Sequence, residues 1–175
     1  VTIPVTSADD SFTSSEYTWR LALDHRFMDG VMGYVSYNRG FKSGGYNAIA
    51  ANLQAPPYKP EKLDAYEAGF KTELFGNRLR FNPGVFYYDY TNIQVTQFRG
   101  TTTIVSNGAK AELYGLDLDM EWSASNALNF NGGLEWMTSK FKSFPNAPGF
   151  VSNPAVDPLT GLPIGGNIPV IIDAS

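Results

Sequence analysis

Asp117, Asp119 and Glu121 stand at alternate positions of one run. On an extended chain their carboxylates share a face, a spacing that could hold a hard cation such as calcium through oxygen ligands. The plainer reading is a hydrated acidic row, partly paired with basic residues of neighbouring strands such as Lys71 or Arg80. His25, between Asp24 and Arg26 in a stretch that reads as a turn, has the chemistry of a general base. The sequence places no nucleophile beside it, so an exposed turn histidine is expected and no catalytic residue is assigned. Glu67 and Glu73 suggest a glycosidase pair, yet extended chain sets them about 20 Å apart, beyond the roughly 5–9.5 Å that such chemistry needs. Arg39, Phe41, Lys42 and Tyr46 combine cationic and aromatic groups near one strand end, able to charge-pair with or stack on a ligand. Equally, Arg39 and Lys42 suit an aqueous rim, while Gly40, Gly44 and Gly45 permit sharp loop geometry. Tyr87, Tyr88 and Tyr90 offer a platform, but strand packing and interface anchoring explain them with fewer assumptions.

Composition narrows the chemistry further. One histidine and no cysteine exclude thiolate metal centres, His-rich clusters and a disulfide framework, so no metal site and no cofactor is expected. A net charge of -4, with no window concentrating Lys and Arg, has the wrong sign for a phosphate-backbone binder and makes nucleic acid an unsuitable partner. The 12 Phe, 10 Tyr and 3 Trp beside 17 Gly and 11 Pro favour short aromatic strands separated by turns over long helices. No run approaches the roughly 18 consecutive apolar residues of a membrane-spanning helix, so contact with lipid would have to be made by strands.

The elements that must carry these residues follow from period-two alternation. Glu16 to Asp24 sets Tyr17, Trp19, Leu21 and Leu23 against Thr18, Arg20, Ala22 and Asp24, and His25 to Gly30 reads as a turn. Val31 to Tyr37 is β-rich, with its facing undecided between Met32 and Tyr34 on one side and Val31, Val35 and Tyr37 on the other. Asn38 to Lys62 reads as a long loop, and Leu63 to Leu74 as a strand closed by a reversal at Phe75-Gly76-Asn77. Arg78 to about Val95 is the next strand, in which Pro83 predicts a bulge or an unpaired position. Tyr114 to Trp122 gives the cleanest alternation, Ser123 to Ala127 a short turn, and Leu128 to Trp136 another strand. The Pro-, Gly- and Asn-rich stretch from Ser143 onward reads as loop. The prediction is all-β, an antiparallel meander of about six strands. Its alternating runs of about 9 to 11 residues, tilted by about 40°, suit the roughly 25 Å apolar band of an outer membrane.

Four segments in this order resemble the β-barrel of TonB-dependent outer-membrane receptors. They are Tyr34-Val35-Ser36-Tyr37-Asn38-Arg39-Gly40-Phe41-Lys42-Ser43-Gly44-Gly45-Tyr46-Asn47; Tyr58-Lys59-Pro60-Glu61-Lys62-Leu63-Asp64-Ala65-Tyr66-Glu67-Ala68-Gly69-Phe70-Lys71; Phe86-Tyr87-Tyr88-Asp89-Tyr90 with Ile93-Gln94-Val95; and Asn107-Gly108-Ala109-Lys110-Ala111-Glu112-Leu113-Tyr114-Gly115-Leu116-Asp117. The resemblance extends over about Trp19 to Pro169. It implies part of a transmembrane barrel of about 22 strands, plugged by an N-terminal domain, that takes up scarce nutrients with energy relayed by TonB. Cargo would be a ferric siderophore, a vitamin or a glycan, and the remaining partner is outer-membrane lipid of a Gram-negative bacterium. The expectation is that residues 1–175 are a partial barrel domain, the plug and the closing strands lying outside them. The short turns would then be periplasmic, whereas Gly40 to Lys62 and the segment from Ser143 would be extracellular, with Arg39, Phe41, Lys42 and Tyr46 as cargo contacts. Two other architectures fit the alternation: a complete small barrel, and a soluble secreted β-domain that binds carbohydrate or protein.

Overall fold

In a computed structural model the described residues are 12–47, 56–99, 102–152 and 167–174. Seven strands form one sheet: β1 (Trp19–Met28), β2 (Val31–Lys42), β3 (Glu61–Leu74), β4 (Leu79–Arg99), β5 (Thr102–Ser125), β6 (Leu128–Ser152) and β7 (Asn167–Ala174). Spatial order follows chain order, every neighbour is antiparallel, and β1 and β7 are the two sheet edges. The meander is therefore open rather than closed on itself, which removes support from a complete small barrel. Among the described residues no second sheet covers the apolar rows: Leu21, Leu23, Val85, Leu134 and Trp136 are exposed. That overturns the soluble β-domain, which would have sealed them.

The six predicted runs are β1 to β6, with corrected ends. The turn predicted over His25 to Gly30 is only Asp29-Gly30, because the alternation of β1 continues through His25 and Phe27 and pairs His25 with Gly33. Gly30 adopts φ 74°, and a Cβ there would stand 2.1 Å from the Glu73 carbonyl oxygen, so glycine alone fits this reversal. The Asn38 to Lys62 loop shrinks at both ends, since Asn38 to Lys42 complete β2 and Glu61 and Lys62 begin β3, and its residues 48–55 lie outside the described ones. The largest correction is in the stretch from Ser143, of which Ser143 to Ser152 form the upper part of β6 and pair with β7, residues 153–166 lying outside the described ones. Its prolines concealed this, but Pro169 lies on an edge strand, where one side of the backbone has no ladder to supply. The β-branched residues Ile168, Val170, Ile171 and Ile172 were the signal for β7.

Register settles the facing of β2. Leu23 opposes Val35 and Leu21 opposes Tyr37, so Val31, Val35 and Tyr37 join the apolar face, and Met32, Tyr34 and Ser36 the polar one. At Pro83 the ladder with β3 lapses between Gly69–Gly84 and Glu73–Arg80 without a shift of register, so the position is unpaired rather than bulged. Side chains bridge the gap: Thr72 N donates to Asn82 Oδ1 at 3.0 Å and Thr72 Oγ1 to the Phe81 carbonyl at 2.6 Å.

Candidate functional site

Cross-strand register stacks the apolar face into levels. The uppermost runs Leu21, Tyr37, Tyr66, Tyr87, Tyr114, Thr138 across β1 to β6. Its rings touch: Tyr37 and Tyr66 stack at 4.8 Å, and Tyr66 and Tyr87 lie 6.2 Å apart. Below it come Leu23, Val35, Ala68, Val85, Leu116 and Trp136, and the lowest level holds Leu74, Leu79, Trp122 and Phe130. Trp122 and Phe130 stack at 5.6 Å. Between Tyr114 and Trp122 the strand rises about 26 Å, or about 20 Å once tilted by about 40°, and side-chain reach brings this to the apolar height of an outer membrane. Amphipathic rings at both margins with aliphatic rows between them match the two water–lipid boundaries and the hydrocarbon interior.

Immediately above the tyrosines the same face becomes ionic, and its cations are neutralised. Arg39 Nη2 lies 3.3 Å from Asp64 Oδ2, and Tyr37 Oη donates to Asp64 Oδ1 at 2.6 Å. The Arg39 guanidinium also sits 5.3 Å over the Trp19 ring. Lys142 Nζ approaches Glu112 Oε2 at 2.6 Å, Tyr87 Oη donates to the same oxygen at 3.1 Å, and Lys62 pairs with Glu16 at 2.8 Å. The Lys142 hydrogen bond holds the Glu112 carboxyl below its usual range against a smaller opposing effect of desolvation, and Tyr87 adds to the lowering. The same contact raises Lys142.

The opposite face carries the charged and amide side chains of these strands, with Met32, Tyr34, Phe86 and Met137 among them. Arg80 bridges Glu121 at 3.0 Å and Glu73 at 3.9 Å, and Asn82 Nδ2 donates to Asp119 Oδ2 at 3.3 Å. Of the acidic row, Glu121 thus meets the predicted Arg80, whereas Lys71 lies over the Tyr34 ring at 6.0 Å. Among the described residues no group of three or more His, Asp or Glu side chains is arranged to hold a metal ion. A shallow concavity of about 520 Å³ opens on this face, lined by Tyr34, Glu67, Tyr88, Asp117, Glu135 and Met137 among others. Within it Tyr88 Oη donates to Glu67 Oε1 at 3.0 Å. Such a surface supplies hydrogen-bond donors, acceptors and fixed charge to water or to a polar occupant.

His25 is not a turn residue: it lies on the apolar face of β1, edge-on to Phe27 at 4.8 Å. Glu67 and Glu73 point to the polar face of one strand and serve different partners, Tyr88 and Arg80. The four predicted ligand contacts are divided by strand alternation. Arg39 and Phe41, level with Asp64 and Lys62, take the apolar side, and Lys42, level with Glu61, takes the other. Tyr46 lies beyond the end of β2, edge-on to Phe12 at 5.9 Å. Sequence reasoning missed the clamps Tyr37–Asp64 and Tyr87–Glu112–Lys142, since each joins residues more than 20 positions apart that only register brings level.

Residues 2–163 match a family described as "TonB dependent receptor-like, beta-barrel". The pesticin receptor of Yersinia pestis is 28% identical over 118 residues, 67% of this chain and 16% of that receptor. A pesticin receptor of Yersinia enterocolitica is 27% identical over the same shares. The chain therefore spans about a sixth of the length of these receptors. Among solved structures, the ferric yersiniabactin uptake receptor of Yersinia pestis superposes with TM-score 0.56 at 22% identity, over 70% of this chain and 18% of that one. The alcaligin outer-membrane receptor of Bordetella pertussis gives TM-score 0.54 at 18% identity, over 74% and 23%.

Proposed function

Because the chain belongs to the TonB-dependent receptor family through its β-barrel domain, we propose that it is a wall segment of an outer-membrane receptor that imports a scarce nutrient. The observation that carries this reading is the two-faced open sheet. One face has aromatic margins around aliphatic rows, the other carries Arg80, Asn82, Asp117, Asp119 and Glu135, and the two sheet edges call for further strands. Lipid accepts the first face only if the second meets water and no strand edge is left open, so the rest of a longer barrel completes the wall. The chain's small share of its relatives' length supports the same arrangement. Transport, not catalysis, is the activity, with energy delivered by TonB through a plug contributed from outside these residues. A ferric siderophore is the favoured cargo, in line with the ferric yersiniabactin uptake receptor that shares the fold, ahead of a vitamin or a glycan. Of the four rim residues, we assign cargo contact to Lys42 and Tyr46, supported by Lys42 facing away from the apolar side and Tyr46 lying beyond the end of β2, and an anchoring role at the outer margin to Arg39 and Phe41.

The test is complementation. The complete receptor carrying this segment is expressed in an iron-limited Gram-negative host stripped of its own receptors, and growth is scored on ferric siderophores, cobalamin and oligosaccharides. Growth on at least one ferric siderophore, abolished by deleting TonB, is the expected result. Growth on none of the panel, or uptake indifferent to TonB, overturns the proposal.

A further inference from the structure

At the end of the sheet opposite the short turns, the two arms of the β2–β3 connection, Ser43 to Asn47 and Pro56 to Pro60, run beside the upper part of the β4–β5 hairpin. The arms are tied to one another by a reciprocal backbone bridge, Gly45 N donating to the Tyr58 carbonyl at 3.0 Å and Tyr58 N to the Gly45 carbonyl at 2.8 Å, and by Asn47 Nδ2 donating to the Pro56 carbonyl at 3.4 Å. A Cβ on Gly44 would stand 2.3 Å from the Tyr58 carbonyl oxygen, so this approach requires glycine. The bonds between the arms and the hairpin come from side-chain amides.

Asn47 gives both of its amide functions to the backbone of one residue, Nδ2 donating to the Val105 carbonyl at 2.9 Å and Oδ1 accepting from Val105 N at 2.6 Å. Asn107 treats Lys59 in the same way, Nδ2 donating to its carbonyl at 2.8 Å and Oδ1 accepting from its N–H at 2.5 Å. Gln94 Nε2 donates to the Ser43 carbonyl at 2.8 Å. A carboxamide carries a donor and an acceptor side by side, as the N–H and C=O of a single extended residue do, so each asparagine replaces one step of a strand ladder. The irregular register between Tyr90 and Gln94, with Asn92 at φ 54°, leaves the Asn92 carbonyl free to accept a further bond from Asn107 Nδ2 at 2.8 Å. Gln94 and Asn107 thus grip one arm each from the two strands of the hairpin, and Asn47 reaches from the first arm to β5.

We propose that the two arms and the hairpin are one cooperative rim body, coupled through Asn47, Gln94 and Asn107, whose parts open together and not one at a time. Separate clamps would let either arm detach while the other stayed seated. Here the Gly45–Tyr58 bridge passes the loss of one clamp to the other arm, so an event at Tyr46 is felt in β4 and β5. The coupling is independent of cargo.

Amide hydrogen exchange reads this directly, in the complete receptor embedded in lipid nanodiscs. Asn107→Ala removes the acceptor of Lys59 N–H but touches neither bond of Val105. Cooperative opening predicts exchange about tenfold faster or more at both Lys59 and Val105, the same pair of changes in Asn47→Ala, and little further gain in the double variant. Acceleration confined to the amide whose own partner was removed, with the two effects additive, overturns the proposal. If Asn107→Ala fails to assemble, Asn107→Asp carries the test, since it keeps the acceptor for Lys59 N–H and loses only the donor. The readout is exchange and not uptake, so its outcome is separate from that of the transport assay.

Discussion

Leu118 and Asp117 are neighbours in β5 that face opposite sides of the sheet, and arginine at the two positions has opposite consequences. Leu118 lies level with Leu134 and Pro83, midway between the tyrosine level at Tyr114 and the lower aromatic level at Trp122. An arginine there stands about 10 Å from either margin and must carry its charge into hydrocarbon, at a cost of about 2–4 kcal/mol for a midplane cation on the lipid face of a barrel. Converted to populations, that is a loss of about 30- to 700-fold in the folded-to-unfolded ratio. Asp117 is directly opposite Glu135, a like-charge pair across β5 and β6. Arginine at 117 replaces that repulsion by an opposite-charge pair on the watery face, worth at most about 1 kcal/mol and in the stabilising direction. Urea unfolding midpoints of the complete receptor in phospholipid vesicles, read by heat-modifiable gel mobility, compare Leu118→Arg, Asp117→Arg and the parent. A sharp drop for the first and a parental or higher midpoint for the second are expected. Equal drops in the two variants, or a harmless Leu118→Arg beside a damaging Asp117→Arg, would refute the assignment of faces.

At the break beside Pro83, Asn82→Ala leaves Thr72 N–H without its acceptor and costs about 1–3 kcal/mol, with faster exchange of that amide; unchanged exchange at Thr72 counts against the bridging role. At the rim, Glu112 is held below its ordinary range in the folded state, so the stability it confers is complete above the usual carboxylate range of about 4.3 and disappears as pH falls through its lower folded value. Glu112→Gln therefore lowers the unfolding midpoint at neutral pH and converges with the parent in acid; curves that stay parallel down to the lowest pH would remove Lys142–Glu112 from the rim's supports.

The parts of this architecture legible from sequence are those written in period two. Tyr114 to Trp122 alternates without interruption because each side chain meets either lipid or water, and facing can then be read one strand at a time. Val31 to Tyr37 resisted because Met32 and Tyr34 are apolar side chains on the polar face, and only pairing with Leu23 and Ala68 separates the two sets. His25 reads as a turn residue in sequence because a polar side chain between Asp24 and Arg26 masks the beat from Leu23 to Phe27. Above the membrane margins the signal changes in kind. β4, β5 and β6 run to 21, 24 and 25 residues, well beyond an apolar band that needs about 9–11, and the excess is specified by backbone pairing and side-chain amides. Prolines and asparagines are compatible with that pairing, so Ser143 to Ser152 carried no period to read.

The sheet also explains why its sequence looks soluble on average and yet builds no core. Among the described residues the only buried hydrophobic side chains are Ala65, Ile104 and Ala109, while Leu21, Leu23, Val85, Leu134 and Trp136 remain open. In water that distribution leaves the hydrophobic contribution to folding almost unrealised, because apolar area must leave the solvent before it stabilises anything. The missing apolar partner has to come from outside the chain. Hydrocarbon is the partner that fits, since aromatic rings at two levels bracket the aliphatic rows and ion pairs begin one step above the upper ring, a vertical order that a second protein layer has no reason to impose. The polar face then cannot also meet lipid, and Arg80, Asp117, Asp119, Glu121 and Glu135 require an aqueous interior on the other side of a wall one sheet thick. A single sheet between oil and water is stable only as part of a closed ring.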